Sequence, residues 1–287
     1  MLKSKKSQDS VLSQVKEICR AYDIWPQKSK GQNFLFNLDA IEEIMAAAGV
    51  AATDSVLEVG PGLGVLTERL IMQAKRVVSV ELDAKIFGFL EAKFAGNPNL
   101  ELVHGDILKF NPDHYQLKAN SYKLVANLPY NITSFFLKTF LTAPNRPQAM
   151  TLLLQQEVAQ RICARGGKMS LLAVSVQLYG EPKIMGRVGR ENFWPSPEVD
   201  SAIIKIDKIR NAAAVDNYLQ GVSEPEFWRL VKIGFSAKRK QLQHNLSAGY
   251  KRPASEMKKL LNLANFDEKI RAENLSVADW VRLAKKL

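Results

Sequence analysis

Cysteine and histidine are scarce in this sequence: its 287 residues include two cysteines, Cys19 and Cys163, and three histidines, His104, His114 and His244. Two thiols cannot make a disulfide framework or a cysteine-rich cluster in a chain of this size, so a reduced, cytoplasmic setting is expected. The histidines are scattered and lack the close pairing and local carboxylates of a zinc site, so neither a bound metal nor metal catalysis is expected. Long apolar runs are missing too. None approaches the ~18 residues of a membrane span. A composition of 46% hydrophobic and 24% charged residues is that of a globular protein, so the membrane and disordered classes are excluded. The opening MLKSKKSQDSVLSQ has no apolar core behind its lysines and does not read as a secretory signal. No apolar heptad seam is sustained, and a monomer is expected.

What the sequence does have is positive charge, unevenly spread. Lysine and arginine number 40 against 29 aspartates and glutamates, a net +11, which points to a polyanionic partner without naming one. Residues 1–30 carry 7 basic and 3 acidic groups (+4), residues 31–204 carry 16 and 17 (−1), and residues 205–287 carry 17 and 9 (+8). A near-neutral body between basic ends suits a catalytic or cofactor-binding core with separate electrostatic handles. Solvated, solubilising ends are the plainer alternative.

From Ser55 onward, β-branched runs alternate with helix-period stretches: SVLEVG, a helix from about Gly64 to Gln73, RVVSVEL, a helix through Lys93, LELVHG, YKLVAN, a helix around Thr133 to Leu141, and QAMTLLLQ. Strand-like runs return near Glu181 to Val188 and Ser201 to Ile206. This alternation predicts an α/β, Rossmann-like fold, an open and largely parallel sheet with helices on both faces. After Ile206 the alternation stops. Helical spacing such as Phe227, Leu230, Val231 and Gly234 takes over, so a small helical domain is expected over 207–287. VLSQVKEICRAY, before a linker containing Pro26, reads as one amphipathic helix.

The first strand runs into Glu58-Val59-Gly60-Pro61-Gly62-Leu63-Gly64, a glycine-rich turn that opens a helix. Glycines there allow positive φ and close approach of a ligand to the backbone. The dinucleotide fingerprint is GxGxxG, whereas here the third glycine comes one residue early and Val65 stands where it would be needed. The ExGxGxG spacing, with Glu58, Gly60 and Gly62, is instead the pattern of S-adenosylmethionine methyltransferases, and S-adenosylmethionine is the expected cofactor. Glu81, ending the second strand, is placed to accept two ribose hydroxyls. Asp106, after His104-Gly105, is placed to accept adenine amino hydrogens. Singly, each acid reads equally as a solvated strand end; three matches in successive βα units favour a ligand site.

The fourth strand ends in Asn127-Leu128-Pro129-Tyr130. An exocyclic adenine amine is a poor nucleophile because its lone pair is delocalised into the ring. An enzyme that methylates it has to hold the nitrogen more pyramidal, which requires hydrogen-bond acceptors. The Asn127 side-chain oxygen and the Leu128 carbonyl can each take one amino hydrogen. Pro129 stiffens the loop, and Tyr130 offers a face for the base to stack on, worth ~1–3 kcal/mol. No strong general base is required, because the alkylated nitrogen is acidic enough to lose its proton to water. Phe193 can supply a second aromatic face for a base taken out of its helix. The plainer alternatives are a turn punctuator for the Asn-Leu-Pro-Tyr run and a core aromatic for Phe193.

Together these residues resemble the KsgA family of small-subunit ribosomal RNA adenine dimethyltransferases, from about Lys28 to at least Leu246. The motifs are Gly31-Gln32-Asn33-Phe34-Leu35, the Glu58 to Gly64 turn, Glu81-Leu82-Asp83, Gly105-Asp106 and Asn127-Leu128-Pro129-Tyr130. Two more follow: Phe193-x-Pro195-x-Pro197-x-Val199-Asp200-Ser201 and Phe235-x-x-Lys238-Arg239-Lys240-x-Leu242-x-x-Asn245-Leu246. The resemblance implies a methyltransferase domain over 31–206 and a helical RNA-binding domain over 207–287, leaving residues 1–30 as a basic extension. It further implies four methyl transfers from S-adenosylmethionine to the N6 atoms of two adjacent adenosines near the 3′ end of small-subunit ribosomal RNA, as free RNA or in the immature subunit. By the same resemblance Asn33, Leu35, Gly60, Glu81, Asp106 and Asn127 contact the cofactor, and Phe34 is a lid or substrate-side aromatic. The chain departs from the family habit at Gly189-Arg190-Glu191-Asn192, where a proline pair is usual, and near Lys168-Met169-Ser170, where Tyr-Gly is usual.

Lys238, Arg239 and Lys240, expected on a helix beside Phe235, suit phosphate contacts that position RNA without reading its sequence. A solvated helix face is the alternative. Two rival functions follow from the same residues: an Erm-like methyltransferase of large-subunit ribosomal RNA, and a non-catalytic ribosome-assembly factor. The retained Glu58, Glu81, Asp106 and Asn127 speak against the second.

Overall fold

The structure, a computed structural model, describes residues 2–27, 31–129 and 132–287, with residues 2–10 as backbone only. In chain order the first elements are α1 (Leu2–Ala21), β1 (Phe34–Leu35), α2 (Leu38–Ala48), β2 (Ser55–Val59), α3 (Val65–Gln73), β3 (Arg76–Glu81), α4 (Ala84–Lys93) and β4 (Leu100–His104). They are followed by β5 (Tyr122–Asn127), α5 (Thr133–Thr142), β6 (Ala149–Gln155), α6 (Gln156–Ile162), α7 (Leu171–Gln177), β7 (Glu181–Val188), β8 (Phe193–Trp194) and β9 (Ser201–Asp207). The remaining helices are α8 (Ala212–Leu219), α9 (Glu224–Gly234), α10 (Leu242–Tyr250), α11 (Ala254–Leu263) and α12 (Val277–Ala284).

Seven strands form one sheet in the order β4-β3-β2-β5-β6-β9-β7. The pairs β2/β3, β2/β5, β3/β4 and β5/β6 are parallel, and β9 runs antiparallel to β6. The central strands are apolar on both faces: Val56, Leu57, Leu124 and Val125 are fully buried, as expected of parallel strands covered by helices on either side. Local chemistry sets the helix starts. The Asn37 side chain accepts the Ala40 N–H at the head of α2, and Gly49 ends that helix in the left-handed region. Asp83 caps α4, while Ser276 and Asp279 form a reciprocal capping box on α12.

The chain divides into two compact units, one of Met1–Ala159 with Lys183–Ile209 and one of Gln160–Pro182 with Arg210–Leu287. Against boundaries at 30/31 and 206/207, the later boundary moves to 209/210, and two segments change unit, each with a local cause. Val15, Cys19 and Ile24 are buried in one cluster with Phe34, Leu63, Ile86 and Phe89, and Lys85 is ion-paired with Asp23, so the N-terminal segment is part of the first unit. Segment 160–182 is sewn into the helical unit. The Gly167 and Met169 N–H groups both donate to the Glu273 carbonyl, at 2.9 and 3.0 Å, and the Arg210 guanidinium donates to the Gln177 and Leu178 carbonyls.

Candidate active site

In the first unit β3 and β5 lie on opposite sides of β2, so chain direction across the sheet reverses between β2 and β5. Open α/β sheets leave a crevice at the carboxyl ends of the strands where the order reverses. A cavity of ≈ 260 Å³ lies there, walled by residues 31–35, the turn 59–63, Glu81 and Leu82, residues 105–108, Asn127 to Pro129, and Phe193. The glycine turn forms its floor. Gly60 and Gly62 have φ of 67° and 57°, in the left-handed region open to glycine. A Cβ at Gly62 would stand 3.2 Å from the Phe34 ring, and one at Gly60 would stand 3.4 Å from the Asn127 carbonyl oxygen. The turn therefore lies close under β1 and the end of β5, and side chains there would fill the cradle.

The carboxylates at the strand ends have different surroundings. Glu81 is 6% exposed; its Oε1 accepts the Asp83 N–H at 2.8 Å, and burial raises its pKa to about 6. Asp106 is half-buried and lines the cavity, with Oδ1 taken by the Leu108 N–H at 2.9 Å. Glu58, expected beside these two, does not line the cavity. It points into the sheet, where Oε2 accepts hydrogen bonds from Thr67 Oγ1 (2.8 Å) and Ser79 Oγ (2.7 Å), and Oε1 is buried without a hydrogen-bond partner. Burial outweighs those two hydrogen bonds and raises its pKa to about 7. Its hydroxyl partners belong to α3 and β3, so Glu58 braces the elements that carry the turn.

Asn127 and Leu128 face the cavity at the end of β5. The Asn127 amide nitrogen donates to the Asn33 carbonyl at 3.4 Å, and its Oδ1 has no partner among the described residues. The Leu128 N–H is held by the Leu153 carbonyl at 3.4 Å. Two acceptors on adjacent residues, one fixed through Asn33 and the other through β6, suit an amino group with two hydrogens. Tyr130 lies outside the described residues. Phe193 is 3% exposed and belongs to a core cluster with Ile44 and Ile203, and it also lines the cavity.

The β1/β8 ribbon joins two distant motifs, pairing Phe34 with Trp194 and Leu35 with Phe193. It brings Asn33 and Leu35 to the cavity, while the Phe34 and Trp194 rings stack at 6.4 Å. The apolar walls carry no motif in the sequence. Leu82 is 58% exposed beside Glu81, and Ile107 and Leu108 follow Asp106 on the same wall. The available signal was an apolar residue directly after each strand-end acid.

In the second unit, Lys238, Arg239 and Lys240 are exposed but not helical. α9 ends at Gly234 and α10 begins at Leu242, so the three cations occupy the turn between them. The Phe235 N–H still donates to the Val231 carbonyl, the chain leaves the helix after it, and Gln241 is extended at ψ 147°. Among the described residues no group of three or more His, Cys, Asp or Glu is placed to hold a metal ion, and no helix is long and apolar enough to cross a membrane.

A family model described as ribosomal RNA adenine dimethylase matches residues 26–287. The chain belongs to the ribosomal RNA adenine dimethylase family. It is therefore a methyltransferase, and the other comparisons bear out the Rossmann-like reading of the dimethylase body. A relative from Dehalococcoides mccartyi named ribosomal RNA small subunit methyltransferase A is 43% identical over 277 residues, covering 96% of this chain and 94% of the relative. A Moorella thermoacetica protein of the same name is 36% identical over 282 residues, covering 94% and 95%. Among solved structures, a dimethyladenosine transferase from Plasmodium falciparum matches with TM-score 0.71 and 26% identity over 86% of this chain and 94% of that one. The 23S rRNA methyltransferase ErmE matches with TM-score 0.69 and 28% identity over 89% and 99%. The dimethylase family name thus rests on nearly the whole chain, both units included.

Proposed function

We propose that the protein transfers methyl groups from S-adenosylmethionine to N6 of two adjacent adenosines near the 3′ end of small-subunit ribosomal RNA, giving N6,N6-dimethyladenosine while the subunit is being assembled in the cytoplasm. The observation that carries the reading is the meeting, in one cavity, of the acceptor pair Asn127–Leu128 with the strand-end acids Glu81 and Asp106. The relatives' name, small subunit methyltransferase, supports this target over a large-subunit one.

The residues fit the cofactor. Gly60 and Gly62 leave a cradle that a Cβ would fill, and the two acids at its edge are acceptors suited to hydroxyl and amino donors. S-adenosylmethionine supplies an electrophilic methyl group when bound. Glu81 would accept from the ribose hydroxyls, the free oxygen of Asp106 would accept from the adenine amine, and Leu82 with Ile107 would offer the apolar contact for the adenine. Asn33 and Leu35 close the cavity from the ribbon side. Asn127 Oδ1 and the Leu128 carbonyl take the two amino hydrogens of the target adenine, which leaves the nitrogen lone pair free to react. Phe193 is the wall against which the base rests. The proton released on alkylation passes to water, so no histidine is needed. Lys238, Arg239 and Lys240 contact RNA phosphates and position the substrate.

A second reading, methylation of large-subunit ribosomal RNA, draws on the likeness to ErmE. Radiolabelled S-adenosylmethionine offered with immature small subunits or with large-subunit RNA separates the two. Dimethyladenosine mapped to small-subunit RNA is expected; label confined to large-subunit RNA overturns the proposal in favour of the second reading.

A further inference from the structure

The three exposed cations sit on a turn with a particular construction. The Ala237 carbonyl accepts the Lys240 N–H at 3.1 Å, so residues 237–240 form a tight turn with Lys238 and Arg239 at its corners and Lys240 at its exit. The same carbonyl is held from inside. Asn245, on the first turns of α10 and 3% exposed, donates its side-chain amide to the Ala237 carbonyl at 3.1 Å and to the Gly234 carbonyl at 2.6 Å. One buried amide thus spans the gap between the last residue of α9 and the residue before Lys238.

The surroundings keep that amide in place. A Cβ on Gly234 would stand 2.3 Å from the Trp280 ring, so glycine is what lets the end of α9 pack against α12. Phe235 packs on Trp280 as well, with ring centroids 5.6 Å apart, and the Leu242 N–H is held by the Ile270 carbonyl at 2.8 Å. Among the described residues Lys238, Arg239 and Lys240 have no acidic partner to fix them, so the order of this segment comes from its backbone. Three free lysine or arginine side chains on a loose loop lose backbone entropy when they meet phosphates; on a pinned turn that loss is already made.

We propose that Asn245 is a positioning residue for RNA: its buried amide pins the 237–240 turn so that Lys238, Arg239 and Lys240 meet the RNA phosphodiester backbone as one preformed array. The proposal rests on the RNA reading of these cations. Asn245 touches no RNA itself and acts through the turn.

The test is a double-mutant cycle on the full-length protein, with small-subunit ribosomal RNA as the probe and affinity measured against salt concentration at a temperature where melting curves show every variant folded. Lys238→Ala/Arg239→Ala/Lys240→Ala is expected to weaken binding and to shallow the log–log salt slope by about 0.7–0.9 for each phosphate left unneutralised. Asn245→Ala is expected to raise Kd about tenfold with a shallower slope in the natural background, and to change it less than about twofold in the triple-alanine background, because the residue has nothing left to position. Hydrogen exchange at residues 236–240 should quicken in Asn245→Ala.

An equal loss in both backgrounds marks a general structural defect and overturns the proposal. No loss from Asn245→Ala while the triple variant binds poorly also overturns it. If the triple variant binds normally, the RNA reading of the turn fails and the proposal falls with it. Where Asn245→Ala does not fold, Asn245→Ser, which keeps a polar group in the site but is too short to span both carbonyls, takes its place; it is expected to raise Kd about threefold with the same non-additivity, and an additive effect overturns the proposal.

Discussion

The two units hold their functional groups in opposite ways. In the first, a few polar side chains are sunk among apolar ones, and each has a fixed neighbour: Glu81 with the Asp83 amide, Asn127 with the Asn33 carbonyl, Glu58 with two hydroxyls. In the second, Lys238, Arg239 and Lys240 are exposed on a turn and have no acidic partner among the described residues. Burial makes each group in the first unit individually decisive, because a missing hydrogen bond there has no water to replace it. Exposure makes the second unit's contribution additive and sensitive to salt. The two units also differ in charge, with +2 over Met1–Ala159 and Lys183–Ile209 and +9 over Gln160–Pro182 and Arg210–Leu287.

The strongest way to sharpen this contrast is Asn127→Ala. It removes one of two acceptors aimed at the reacting amine, and kcat is expected to fall by about 10²–10³-fold, the range seen when one preorganised catalytic hydrogen bond is deleted; circular dichroism should be unchanged. Near-normal turnover would break the account of the acceptor pair. Next comes Glu81→Gln, expected to weaken S-adenosylmethionine binding about tenfold or more, through loss of a charge-assisted hydrogen bond.

The same residue predicts a pH dependence. Burial raises Glu81 to about 6, and hydroxyl donors favour its ionised form, so cofactor affinity should be full above about pH 7 and should decline as pH falls through about 6. Calorimetry between pH 5 and 8 checks this, and Glu81→Gln should flatten the curve. Glu58 gives a stability effect of its own. Its folded pKa lies above the ordinary value, so its stabilising contribution is present at low pH and is lost as pH rises through about 7. Glu58→Gln should remove that component from the melting temperature measured between pH 5 and 8, and an unaltered pH dependence would refute it.

The smallest expected effect is on the other side of the comparison. Lys238→Ala alone should shallow the salt slope of RNA binding by about 0.7–0.9, with cofactor affinity unchanged. If that single exposed cation abolished binding, the distinction between decisive buried groups and additive exposed ones would fail.

The alternation of the α/β body was legible because its strands are long enough to show a period. Ser55–Val59, Arg76–Glu81 and Tyr122–Asn127 are read directly from runs such as SVLEVG and YKLVAN. The glycine turn and the acids after it were legible because the chemistry at a parallel strand's carboxyl end is set by adjacent residues. What escaped depends on residues far apart in sequence. β1 and β8 are two residues each and carry no period, so nothing in the sequence paired Phe34 with Trp194. The direction of Glu58 also escaped. On a strand buried on both faces, alternation does not say whether a carboxylate points to a ligand or to hydroxyls such as Thr67 and Ser79. The cation turn was misread as helix because Lys238-Arg239-Lys240 contains no proline or glycine; the break is made by Asn245 and the α9–α12 packing, which local propensity does not register.

The β1/β8 ribbon has a consequence for the order in which the molecule comes into being. It is tied to α2 by an Asn37–Asn192 hydrogen bond of 2.7 Å between residues 155 apart in sequence. During synthesis the glycine turn, both strand-end acids and the acceptor pair all leave the ribosome before Phe193 and Trp194 have been added. The wall that completes the pocket is therefore added 65 residues after Leu128, and its pairing with Phe34 and Leu35 closes a loop of more than 150 residues.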